Sequence, residues 1–124
     1  MNIVDSSGWL AYFADDSTAS TFAKAIHDTN TLIVPTICMY EVFKCILAQR
    51  GEEEALQASG IMSLGTIADL TQAIAINAAH ISTELKITMA DSIILATAHT
   101  YNAILWTQDA DFKGLEGVEY IKKK

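Results

Sequence analysis

The stretch Asn2-Ile3-Val4-Asp5-Ser6-Ser7 decides how the rest of the chain is read. Ile3 and Val4 are β-branched and suit a buried strand, whereas Asp5, Ser6, Ser7 and the following Gly8 favour turns and helix caps. The chain is therefore expected to leave a sheet at Asp5 and enter a helix just beyond it. In open α/β sheets ligands gather at the carboxyl ends of the strands. An acidic residue at that point is a candidate for holding a metal or handling a phosphoryl group.

Further along, the same alternation repeats. Trp9, Leu10, Tyr12 and Phe13 predict a short helix, Asp15-Asp16-Ser17 interrupts it, and a second helix is expected over 18–27. Leu32-Ile33-Val34 reads as a short buried strand ended by Pro35, the only proline. Thr36 is placed to cap a helix over 37–49. That helix is apolar almost all round, so it is either wrapped by the core or shared with a partner. Gly51 ends it, and Glu52-Glu53-Glu54 opens another helix with negative charge where the dipole favours it. Gly60 and Gly65 bracket a weak segment before a third strand, or its exit, over 66–70. Helical spacing returns over 71–85 and 90–98, with Asp91 in the first turn of the latter. Ile104–Thr107 is a buried strand, 118–121 the last one, and the lysines at 122–124 a frayed tail. This pattern predicts a single domain over 1–124, a three-layer α/β/α fold with a mostly parallel sheet of four or five strands.

Composition narrows the chemistry. A chain of 124 residues is long enough for one core. Its 51% hydrophobic against 19% charged residues predicts apolar surface covered by a partner or a second copy. No apolar run reaches the roughly 18 residues that span a bilayer, and the N-terminus lacks a basic region, so a cytoplasmic protein with no membrane partner is expected. Cys38 and Cys45, seven apart on one helix, lie about 10 Å from each other and are expected to be reduced, buried thiols. The net charge is −7 and Arg50 is the only arginine, the wrong sign for a nucleic-acid binder unless divalent ions reverse it locally.

Four carboxylates answer that condition. Asp5 and Asp109 each follow an apolar strand, Glu41 lies one turn into the helix after the second strand, and Asp91 opens its own helix. All four are thus expected at the carboxyl edge of the sheet. Their mutual repulsion calls for a hard cation, Mg²⁺ or Mn²⁺, and such a site suits metal-assisted hydrolysis of a phosphodiester. Asp109 and Asp111 share one loop, and either can be the fourth ligand. Thr107 is either a hydroxyl steadying the ligands or a plain strand residue. Asp15, Asp16 and the Glu52–Glu54 run read as solvated surface, and His27, His80 and His99 have no metal-ligand spacing. Lys44, one turn past Glu41, reads as a surface lysine. A receiver-like phosphoacceptor domain would need paired acids after the first strand, where Asp5 stands alone.

These residues also carry a family resemblance. Asn2-Ile3-Val4-Asp5-Ser6-Ser7 with Trp9, Tyr40-Glu41-Val42, the run from Leu85 through Asp91 to Ala98, and Thr107-Gln108-Asp109-Ala110-Asp111-Phe112 resemble, in order, the four motifs of PIN-domain proteins, specifically VapC-type toxins of toxin–antitoxin pairs. The fourth motif is written T-x-[DN]-x-x-F. The resemblance implies Mg²⁺ or Mn²⁺ on Asp5, Glu41, Asp91 and Asp109, with Asp111 auxiliary and the hydroxyls of Ser6 and Thr107 behind them. It further implies a ribonuclease acting on RNA, a homodimer, and inhibition by a cognate VapB-type antitoxin laid over the active-site groove. The alternative is a PIN-fold module that binds RNA or protein with little nuclease activity, which the shortage of basic residues favours and the complete acidic set opposes.

Overall fold

The computed structural model describes residues 1–123, so Lys124 of the expected tail lies outside the described residues. Five strands form one sheet: β1 (Asn2–Val4), β2 (Leu32–Pro35), β3 (Thr66–Ala68), β4 (Ile104–Thr107) and β5 (Val118–Tyr120). Their order is β3-β2-β1-β4-β5, and every pairing is parallel. The register sets Asn2 beside Leu32 on one flank and beside Ile104 on the other, so β1 is the centre of the sheet. A central strand is flanked and covered on both sides, and Ile3 and Val4 are fully buried.

Six helices make the crossovers. α1 (Ser6–Phe13) and α2 (Ala19–His27) join β1 to β2, and α3 (Thr36–Arg50) and α4 (Glu52–Met62) join β2 to β3. α5 (Gln72–Leu85) and α6 (Met89–Thr100) then carry the chain back across the sheet to β4. The first two connections step one way from β1 and the third steps the other way. Right-handed crossovers therefore set α1–α4 on one face and α5–α6 on the opposite face. The three-layer expectation holds, with a sheet that is wholly parallel. The main core gathers Trp9, Phe22, Leu32, Met62, Leu105 and Phe112, while Ile74, Ala78, Ile93 and Ala96 form a smaller cluster between α5 and α6.

Several local expectations are revised. Thr36 is the first residue of α3 and not its cap; that place falls to Pro35, the end of β2, which has no side-chain donor or acceptor for the helix N-terminus. The 60–65 segment is only partly weak, because α4 runs through Gly60 to Met62. α3 is wrapped on one side alone: Cys38, Val42 and Ile46 are buried, whereas Tyr40 and Leu47 face solvent. Lys44 extends along Tyr40, its Nζ 5.7 Å from the ring centroid. Both cysteines are free thiols, with Cys38 buried and Cys45 only half-buried. β5 ends at Tyr120, one residue short of the expected strand, though the Ile121 N–H still donates to the Thr107 carbonyl at 2.7 Å.

Candidate metal centre

Strand order reverses at β1. The first crossover leaves toward β2, and β4 arrives on the other flank, which opens a crevice at the carboxyl ends of β1 and β4. Asp5 stands there as the N-cap of α1, its backbone extended while one carboxylate oxygen, Oδ1, accepts from the Gly8 N–H at 3.0 Å and the Ser7 hydroxyl at 2.7 Å. The second oxygen, Oδ2, accepts from the Thr107 hydroxyl at 2.7 Å. Glycine at position 8 is required by space: a Cβ there would lie 2.6 Å from Val4 Cγ1 and 2.7 Å from Phe22. The helix thus starts hard against the sheet, and that closeness brings the Gly8 N–H onto Asp5.

Thr107 links the two strands. While its hydroxyl donates to Asp5, its Oγ1 accepts from the Asp109 N–H at 2.9 Å. Asp109 in turn caps a short 3-10 turn over Ala110–Phe112, accepting from the Asp111 N–H at 2.9 Å. Across the crevice, α6 begins at the Thr88 cap, whose hydroxyl accepts from the Asp91 N–H, and this aims Asp91 at the same place. Asp91, Asp109 and Asp111 each bring one carboxylate oxygen within 4.8 Å of the others.

The remaining two acids sit differently. Asp5 is buried beneath this trio and is engaged on both oxygens by hydroxyls and the Gly8 N–H. Glu41, on the second turn of α3, accepts from the Ser6 hydroxyl at 2.6 Å and so is tied to the residue beside Asp5. Among the described residues, then, the tight cluster is Asp91, Asp109 and Asp111. Asp111, expected as an auxiliary, stands level with Asp109 in it. Asp5 is joined to the cluster through the Thr107 hydroxyl, whereas Glu41 is tied only to Ser6.

Electrostatics follows from burial and like charge. Desolvation raises the Asp5 carboxyl above its ordinary value, the Thr107, Ser7 and Gly8 hydrogen bonds pull it back, and Asp109 pushes it up further. Asp91 is raised to about 6, first by desolvation and then by Asp109, against the lowering contact of Thr88, with Asp111 and Asp5 adding to the rise. Burial pushes the Cys38 thiol well up, and the nearby charges of Asp5 and Glu41 push the same way. Among the described residues the single ion pair is the exposed Arg50–Glu54, which involves none of the five acids. Carboxylates that crowd without a cationic side chain form a hard-oxygen donor set, which suits Mg²⁺ or Mn²⁺ rather than a soft-ligand metal.

Two participants escaped the reading of sequence alone, Ser7 and Gln108. Ser7 donates to Asp5 and accepts from the Gln108 N–H at 3.2 Å, while the Gln108 side chain accepts from the buried Thr18 hydroxyl at 2.9 Å. A signal for Ser7 existed: a hydroxyl residue two places after an N-capping aspartate can turn back onto its carboxylate. Gln108 carried no such signal, because its partners come from distant segments.

A parallel α/β sheet with acidic side chains gathered at its switch point is an arrangement able to hold a divalent cation. The PIN domain family model matches residues 3–118, and the chain belongs to the PIN domain family. In structure it is similar to a toxin–antitoxin complex from Klebsiella pneumoniae, at 23% identity over all of both chains with a TM-score of 0.85. It is also similar to VapBC2 from Rickettsia felis bound to a promoter DNA fragment (17% identity, 98% and 97% of the two chains, TM-score 0.76). A third similar structure is Mycobacterium tuberculosis VapC20, a toxin that cleaves the sarcin-ricin loop (16% identity, 95% and 98% of the two chains, TM-score 0.73). No curated protein matches the chain by sequence.

Proposed function

We propose that this chain is a Mg²⁺- or Mn²⁺-dependent endoribonuclease, the toxin of a VapBC-type toxin–antitoxin pair acting in the cytoplasm. The observation that carries the reading is the trio of carboxylates within 4.8 Å of one another at the switch point of a PIN sheet, with Asp91 raised to about 6. In this reading Asp5, Glu41, Asp91 and Asp109 hold the ion, and Asp111 assists. When bound, the ion supplies an acidified, oriented water and polarises the scissile phosphodiester. The chain's own part is positioning. Thr107 and Ser7 fix both oxygens of Asp5, and Ser6 orients Glu41, restraint of the kind that usually governs metal affinity.

A cognate VapB-type antitoxin is the proposed protein partner, supported by the likeness to toxin–antitoxin complexes. A homodimer is the proposed assembly, supported by exposed apolar residues such as Tyr40 at 59% and Leu64 at 67%. No helix among the described residues is long and apolar enough to cross a membrane. The test is cleavage of short single-stranded RNA with Mg²⁺ or Mn²⁺, comparing the parent chain with Asp5→Asn and Asp91→Asn. Metal-dependent cutting that both variants lose is expected. A parent that cuts no better than the variants refutes the nuclease reading and leaves a binding module.

A further inference from the structure

An acidic nuclease has to hold a polyanion, and the structure assigns that task to its C-terminal lysines: we propose that Lys122 and Lys123 form the phosphate-binding wall of a channel that delivers single-stranded RNA to the carboxylate centre. The inference rests on the ribonuclease reading and adds to it the residues that contact the RNA backbone.

The chain has eight basic residues against fifteen acidic ones, so their placement matters more than their number. Two of them are brought to the rim of the crevice by the sheet itself. β5 pairs with β4, setting Tyr120 beside Thr107, and the Ile121 N–H then donates to the Thr107 carbonyl at 2.7 Å. That bond fixes the chain one residue before Lys122. Beyond it, Lys122 and Lys123 line an open cavity of about 490 Å³ together with Ser7, Gln108, Asp109 and Tyr120. The lining therefore carries two cations together with Asp109.

The lining suits a single strand. Lysines take phosphate as point charges, while Ser7 and Gln108, hydrogen-bonded to Asp5 and Thr18, give the cavity a fixed wall. Tyr120 offers an aromatic ring of the kind on which bases stack, and Lys113 Nζ lies 5.6 Å from its centroid, adding a third cation to the rim. Among the described residues none of these three lysines is ion-paired to a carboxylate. Their charge is available to a ligand. The two lysines favour a polyanion over an apolar peptide segment as the occupant.

The experiment measures binding of a fluorescein-labelled single-stranded oligoribonucleotide by anisotropy, at a fixed low Mg²⁺ concentration, with every protein carrying Asp91→Asn so that the RNA stays intact. Each phosphate contact contributes about 0.7 to the slope of log affinity against log salt for single strands. Lys122→Ala/Lys123→Ala should therefore lower the slope by about 1.4 and weaken binding by up to about 25-fold at 0.1 M salt. Lys122→Arg/Lys123→Arg should restore both. Lys24→Glu, on the exposed part of α2, makes the same change in net charge and should leave the slope unaltered. An unchanged slope in the double-alanine protein, or an equal loss in Lys24→Glu, overturns the proposal, as does a loss of poly-glutamate binding with RNA binding intact. A parent chain that cleaves RNA while the lysine pair proves indifferent sinks this inference alone. A parent that neither binds nor cuts RNA sinks both.

Discussion

Replacing Asp91 with asparagine should stabilise the metal-free protein while abolishing its response to metal. The displacement of this carboxyl from near 3.8 to about 6 corresponds to about 3 kcal/mol of unfavourable interaction in the charged form, at 1.36 kcal/mol per pH unit. Asp91 is only half-buried, so solvent screening reduces that figure to about 1–1.5 kcal/mol. Losing a negative charge from the first turn of α6 costs a further few tenths of a kcal/mol. The net gain at neutral pH is about 1 kcal/mol, or about 4 °C in Tm for a chain of this size. The pH dependence has a definite sign. The folded state holds the Asp91 proton more tightly than the unfolded chain, so the metal-free fold loses stability as pH rises from about 4 through about 6. Above that window the loss is complete, and the parent and Asp91→Asn should differ most; below about pH 4 the Asp91 contribution to the difference vanishes. Thermal melts in EDTA across this range, repeated with Mg²⁺ or Mn²⁺, read both effects. Metal at ten times its dissociation constant should raise the parent by about 1.4 kcal/mol and the variant far less. If Asp91→Asn is less stable than the parent at neutral pH without metal, or gains as much from Mg²⁺, the picture of crowded, ion-seeking carboxylates is wrong.

Two further outcomes probe the scaffold beneath the centre. Thr107→Val keeps the shape but removes the hydroxyl that donates to Asp5 and accepts from Asp109, leaving buried polar atoms without partners. It should cost about 1–3 kcal/mol in urea unfolding and weaken metal binding measured by calorimetry; a neutral result in both would show that the two strands need no such link. Gly8→Ala forces a methyl within 2.6 Å of Val4 and should destabilise by about 1–3 kcal/mol, with an unaltered melting temperature as the contrary outcome.

The fold was legible because the strands are short, apolar and followed by turn or cap residues, as at Val4-Asp5; the strand expected to end before Pro35 runs one residue further and includes it. Strand order was not, since the hydrophobic pattern of a buried parallel strand is the same at the centre as one place outward. The candidate acids could be located to the sheet edge by their position after strands or at helix starts. Their division into a tight trio and two bordering acids depended on local turns: Asp109 capping a 3-10 turn brings Asp111 inward, while Ser6 holds Glu41 toward α1. The cap of α3 was misplaced because Thr36 has the right chemistry one position too late. Pro35 is still paired with Ala68 in the sheet when the helix begins.

The bond from Thr107 to Asp5 also bears on how the protein is made. The two ends of that bond lie 102 residues apart, so the second oxygen of Asp5 is satisfied only when β4 slides in beside β1, after three crossovers have formed. Asp109 and Asp111 arrive with that same strand and its following turn. A nascent chain stopped anywhere short of them has half an edge and no cluster. For a protein whose proposed activity destroys RNA, the order of the sheet doubles as a safeguard: the proposed centre cannot gather until the strand that precedes Asp109 has been made and has paired with β1.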